Sequence, residues 1–258
     1  MLYEAERQLL VDTVNDMVRW GLIETTGGGL SVRTDNGDII ITATGSAFAR
    51  WKITPRDMTV ISSTGELRER TSGIAPVGAL IHMAAYDMFP DCGAVVHAHN
   101  AYVLAFASLG MGIPSCVNQL DTLGEVPCLI ADDTAVKGDV LRGESGAPLV
   151  QLPDGIAQRP EIAAVDTYQL IPQLREKLGS RAEELKRHGL ACAVYRHGAF
   201  AFARGLTEAV ENLARVEMSA RTAVFQAILR GGLAGIEPNL LFPKNEILAP
   251  ANKQLADV

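Results

Sequence analysis

Residues 94–100 read AVVHAHN: an apolar run that ends in two histidines, His97 and His99, separated by one alanine. Val95 and Val96 are β-branched, and the run reads as a short buried strand. In a strand, residues i and i+2 share a face, so His97 and His99 project together while Ala98 turns into the core. Two imidazoles at that spacing can converge on one ion about 2.0–2.1 Å from each nitrogen. The pattern is short, and two histidines also arise side by side without an ion.

Three further histidines bear on the choice. His197 follows the apolar strand LACAVY and precedes a glycine, so it can project into a cleft from a strand end. Joined to the pair, it would make a three-ligand site with one position open to water or substrate, the catalytic arrangement. His188 ends the charged helix EELKRHG and reads as a helix C-terminal residue before a C′ glycine. His82 sits inside a helix and reads as structural, bonding to the loop that carries the site.

Working outward, residues 3–22 have apolar residues at helical spacing, with Leu9, Leu10, Thr13, Val14, Met17 and Val18 on the expected stripe. TTGGGLS is a loop whose glycines permit close backbone approach. LSVRT and DIIITAT are strands joined by an Asp-Asn-Gly turn at 35–37, and MTVISST is another strand. Residues 77–88 form a helix stopped by Pro90, and AYVLAFASLG a helix closed by Gly110. Over 114–160, short apolar runs lie among Gly, Pro and Asp. Residues 166–188 hold a helix pair or one helix broken at LGS. LACAVYRHG and AFAFARG are strands, followed by a long helix in LTEAVENLARVEMSARTAVFQAILR with Thr207 as expected N-cap and Glu208 in its first turn. These elements predict one α/β domain over 1–258, with a central, mostly antiparallel sheet and 231–258 as a surface or inter-subunit tail.

The 258 residues are 48% hydrophobic, enough for a sizeable core and against disorder. The net charge of −7 disfavours nucleic acid, which wants a basic face. No run of 18 apolar residues predicts a membrane span. The N-terminus is charged from Glu4 onward and does not read as a signal peptide. Cys92, Cys116, Cys128 and Cys192 form no CxxC pair and sit in apolar surroundings, as small core residues of a reduced, cytoplasmic protein.

GGGLSVR, IIITATG, HMAAYDMFPDCGAVVHAHNAY and YRHGAFAFARGLTEAVENLARVE, in this order, resemble the class II aldolase/adducin family over about residues 5–230. The resemblance implies a three-layer α/β/α fold with a nine-stranded sheet, usually assembled as a homotetramer with sites at subunit interfaces. It matches His97, His99 and His197 to the family's metal-binding histidines, with one divalent ion (zinc, manganese or iron) as cofactor. It places Gly29, Ser31, Thr44, Gly45, Pro76, Val77 and Gly78 at substrate-binding positions. The family's acid/base glutamate falls at Gly78, its two serines at Pro76 and Val77, and its loop asparagine at Gly29. Glycine cannot move a proton, and neither Pro76 nor Val77 offers a side-chain hydrogen bond. The metal triad is kept where the sugar-phosphate apparatus is not.

Three neutral histidines leave an ion its full charge, suited to a chelating small-molecule carboxylate. The leading reading is a metal-dependent carbon–carbon lyase, a decarboxylase of a hydroxylated aromatic or heterocyclic carboxylate. Alternatives are an aldolase-like non-haem iron oxygenase on an aromatic hydroxy or keto acid, and a sugar-phosphate aldolase with a relocated base. Adducin-like interaction without catalysis is a fourth. Replacement acid/base candidates are Glu125, Asp121 and Tyr102. Asn100 and Arg33 can reach the pocket, and Arg196 or Arg204 can meet a carboxylate, although strand alternation points Arg196 away from His197. Glu217 lies on the apolar stripe of its helix and needs a partner there. It either orients a histidine ligand or pairs with Arg221 one turn on.

Overall fold

Hydrogen bonding along β5 (Ala94–Ala98) organises the molecule, because it lies between β1 (Gly29–Arg33) and β8 (Gly198–Ala203), antiparallel to both. The computed structural model describes residues 1–24, 27–42, 52–69, 79–130 and 170–232. Further out come β2 (Ile39–Thr42), β3 (Met58–Ile61) and β4 (Leu67–Glu69) on one side, and β7 (Leu190–Val194) and β6 (Cys128–Leu129) on the other. The order is β4-β3-β2-β1-β5-β8-β7-β6. Among the described strands only the β6–β7 pair is parallel. The described residues thus form eight strands where the resemblance implied nine. The Asp-Asn-Gly turn between β1 and β2 forms as predicted, with Gly37 at φ +84°, a conformation glycine adopts without strain.

Strand alternation sorts the side chains into two cores. On one face, Leu30, Val32, Ile40, Val96 and Ala98 pack under α1 (Glu4–Arg19), α3 (Ala101–Ala107), α4 (Asn118–Asp121) and the long α7 (Leu206–Gly232). This face is rich in alanine: Ala191 and Ala193 on β7, with Ala199, Ala201 and Ala203 on β8, let α7 approach closely. On the other face, Ile39, Ile41, Val95, Phe200 and Phe202 pack against α2 (Ala79–Met88), α5 (Leu170–Leu178) and α6 (Ala182–His188). The result is the expected three-layer α/β/α arrangement. LGS marks the break between α5 and α6, where a 3₁₀ turn spans Gly179–Arg181.

Two local expectations change. The buried stripe of α1 is Arg7, Leu10, Val11, Val14 and Met17, so it is rotated from the predicted one and Leu9 is exposed. Arg7 is drawn inward because its guanidinium donates to the carbonyls of Leu2, Pro55 and Met58 and pairs with Glu69. Helix α7 begins at Leu206, so Thr207 lies inside it and is not the N-cap. Glu208 instead reaches back and accepts from the Arg204 backbone N–H at 3.2 Å. The four cysteines are unpaired thiols. No described helix is long and apolar enough to cross a membrane.

Candidate metal centre

His97 stands on β5 opposite Gly29 of β1 and Phe200 of β8. Its Nδ1 lies 2.8 Å from the Ala199 carbonyl oxygen, which accepts only if Nδ1 carries the proton. The tautomer is thereby set, and Nε2 is left as the lone-pair nitrogen suited to a metal. Burial, then the neighbouring His197 and His99, hold its pKa well below the usual range, so the ring is neutral at physiological pH.

His99 follows the end of β5, and the backbone of the glycine loop closes over it. A Cβ placed on Gly27 would lie 1.9 Å from His99 Cε1, so only glycine leaves room for the ring. His197 sits in the β7–β8 turn, after Arg196 at φ 54°. The next residue, Gly198, has φ +142°, and a Cβ there would meet the Ala98 carbonyl oxygen at 2.2 Å. That close contact brings the turn against the end of β5 and sets His197 beside the pair. The rings of His97 and His197 are near parallel with centroids 4.8 Å apart, and His99 stands edge-on to them at 5.0 and 4.8 Å.

One ligand atom from each of the three histidines lies within 4.8 Å of the others. Two nitrogens bound to one ion at about 2.1 Å span at most about 4.2 Å. The observed spacing comes within about 0.6 Å of that limit, and His99 and His197 are only partly buried. A set of three imidazoles suits a borderline divalent cation such as zinc or iron better than a hard one such as manganese. Among the described residues no carboxylate joins the cluster.

The other candidates disperse. Ser31 is fully buried, with Oγ 2.7 Å from both His82 Nδ1 and Tyr86 Oη. Its hydroxyl is engaged there rather than held out to an anion. Beside it, Thr42 at the end of β2 is also engaged, its Oγ1 accepting from the Leu30 N–H at 3.0 Å. His82 is structural in this sense, fully buried with its pKa lowered to about 3 by desolvation. Arg33 turns away from the histidines, donating to carbonyls at the end of α2, including Tyr86 at 3.1 Å, with its guanidinium over the Tyr86 ring. Asp121 is exposed and accepts from Ser115, and Glu125 is exposed; neither belongs to the histidine cluster. Tyr102 packs against Phe225 of α7. Arg196 is exposed, and Arg204 is bound to Glu208 through both guanidinium contacts. Asn100 donates to the Leu22 carbonyl at 2.8 Å. Glu217 meets neither a histidine nor Arg221 in hydrogen bonding. It accepts from the backbone N–H groups of Tyr102 and Val103. Thr44, Gly45, Pro76, Val77, Gly78 and nearly all of the 231–258 tail lie outside the described residues.

Phe200 and Gly27 lie directly against the imidazoles of His97 and His99, and both contacts depend on cross-strand register and loop path. The glycine run signals close approach, and the alternation of AFAFA signals one aromatic face. Neither says which histidine is approached.

With fold and cluster in place, the chain belongs to the family of the class II aldolase and adducin N-terminal domain, whose model matches residues 8–224. It is 28% identical over 241 residues to the L-ribulose-5-phosphate 4-epimerase UlaF of Salmonella paratyphi A, covering 91% of each chain. Among solved structures it is similar to L-fuculose-1-phosphate aldolase from Thermus thermophilus, with a TM-score of 0.61 and 22% identity over 88% of this chain and 96% of that one. It is also similar to YgbL from Escherichia coli, with a TM-score of 0.63 and 18% identity over 92% and 93%.

Proposed function

We propose that this protein is a metal-dependent carbon–carbon lyase that decarboxylates a hydroxylated aromatic or heterocyclic carboxylate. One divalent ion is held by His97, His99 and His197. The supporting observation is the donor set, three imidazoles and no carboxylate among the described residues. Neutral ligands leave the ion's charge uncompensated, which favours a chelating anionic substrate. When bound, the ion supplies an electron sink for the pair left as carbon dioxide departs.

The chain's own residues prepare that site. Ala199 holds the proton on His97 Nδ1 and so keeps Nε2 basic. Gly27 and the Phe200 ring restrict the imidazoles of His99 and His97. Ser31 and Thr42 are engaged within the fold, and Gly78, Pro76 and Val77 offer no side-chain group for a phosphate or a proton. The proton that replaces carbon dioxide is taken from water. By the family resemblance, the working form is a cytoplasmic homotetramer.

A second reading is favoured by the epimerase relatives at 28% identity: sugar-phosphate epimerase or aldolase chemistry with a relocated base. The deciding experiment is elemental analysis of the purified protein, followed by a screen of hydroxyaromatic carboxylates for carbon dioxide release. L-Ribulose 5-phosphate, and dihydroxyacetone phosphate with aldehydes, are assayed in parallel. Carbon dioxide release with zinc or manganese bound supports the decarboxylase. Turnover of sugar phosphates alone replaces it with the second reading, and iron with oxygen consumption replaces both with an oxygenase.

A further inference from the structure

Glu217 lies midway along α7, yet its carboxylate is hydrogen-bonded to the first turn of a different helix. Oε1 accepts from the Tyr102 N–H at 3.3 Å and Oε2 from the Val103 N–H at 3.1 Å. These are the second and third residues of α3. Their N–H groups have no partner within the helix, and an N-cap side chain normally takes one of them. The N-cap of α3 is Asn100, and its side chain makes no capping bond. Its amide is turned away to the Leu22 carbonyl. The cap is therefore supplied in trans, and a carboxylate at a helix N-terminus is also favoured by the helix dipole.

The position of this cap gives it a further consequence. Asn100 directly follows His99, so the corner between β5 and α3 is tied from two directions. Helix α7 holds it through Glu217. The segment entering the glycine loop holds it through Leu22, and five residues later that loop lies on the His99 ring at Gly27. A strand-to-helix corner held only by its own backbone would let the His99 Cα drift, and a misplaced ligand weakens an ion held by three.

Resting on the metal-centre reading, we infer that Glu217 is a positioning residue for His99: by capping α3 from α7 it sets where His99 stands relative to His97 and His197. Half-burial of a carboxylate on the apolar side of α7 is offset only in part by the two N–H groups it receives, and burial still pushes its pKa upward. Arg221, one turn along, contributes attraction without a hydrogen bond to it.

The test uses the full chain, stripped with chelator and titrated with Co²⁺ while the visible ligand-field absorption is recorded. Glu217→Gln keeps the shape and one acceptor but sets an amide NH₂ against the second N–H. It is expected to bind Co²⁺ about 10-fold more weakly than wild type, with a shifted absorption envelope. Val210→Ala, a cavity elsewhere in α7, is the control for stability alone and is expected to bind as wild type does. Wild-type affinity and spectrum in Glu217→Gln overturn the inference. A second measurement needs no variant: Co²⁺ is expected to slow amide hydrogen exchange in residues 100–104 of the wild type beyond any change in α1. Equal change in the two segments also overturns it. A wild type that takes up no Co²⁺ instead overturns the metal centre on which the inference rests.

Discussion

The imidazole of His97 lies flat against the phenyl ring of Phe200, with centroids 4.1 Å apart and planes 10° from parallel. The two are register partners on β5 and β8, so sheet pairing itself makes the stack. Between this ring and the hydrogen bond to Ala199, His97 has one orientation. Phe200→Ala removes a fully buried aromatic side chain and is expected to cost about 3–5 kcal/mol of stability. Denaturant unfolding of the metal-free protein measures that loss. The freed imidazole is expected to bind zinc more weakly in calorimetric titration at temperatures where the variant is folded. An unchanged zinc affinity would remove Phe200 from the site.

Gly27 makes a different kind of demand. Its added Cβ would meet three atoms of the His99 ring between 1.9 and 2.5 Å, all in one side chain. Gly27→Ala should therefore displace the ring and leave the rest of the fold in place. The expected outcome is a fall in zinc affinity with little change in the melting temperature of the metal-free protein. A large drop in that melting temperature with zinc binding intact would contradict it.

His99→Ala is expected to lose both bound metal and turnover. For wild type, zinc at 100-fold its Kd should add about 2.7 kcal/mol to the free energy of unfolding, and for His99→Ala nothing. Thermal melts with and without zinc decide the point. A variant that still gains stability from zinc, and still turns over substrate, places the site elsewhere.

His82 should make the protein acid-sensitive. Its folded pKa of about 3 lies below the ordinary 6.5, because burial disfavours the charged ring. The group therefore contributes stability that is present above pH 6.5 and is lost as pH falls toward 3. Between pH 7 and pH 5 the loss from this residue is about 2 kcal/mol. His82→Gln should flatten the pH dependence of unfolding by that amount in metal-free protein. Parallel slopes for the two proteins would show that His82 does not titrate between the folded and unfolded states.

Much of this was legible in the residues. AVVHAHN, the Asp-Asn-Gly turn and the apolar period of α7 are local patterns, and local patterns report strands, turns and helices directly. The three histidines were legible through their similar positions at strand ends and the resemblance of the flanking segments. What was not legible depends on partners distant in sequence. Ser31 meets His82 across 51 positions, Arg33 meets the end of α2, and Glu217 meets α3 across 115. A polar side chain goes to whichever buried group most needs a partner, and that is known only once strands and helices have been stacked. The extended chain hides the competition for Ser31 that His82 and Tyr86 win.

The alanine face under α7 has its own consequence. Small side chains on β7 and β8 let the helix lie close to the sheet, but they also leave little that can be trimmed and no spare volume to absorb an added group. Enlarging Ala201 or Ala203 would lever α7 outward along its length, and the lever arm reaches Glu217 and, through α3, the His99 corner. The site is thus vulnerable to mutations with no contact to it. In a population of variants, overpacked alanines on the far side of the sheet should recur among those that fold yet fail to retain their ion.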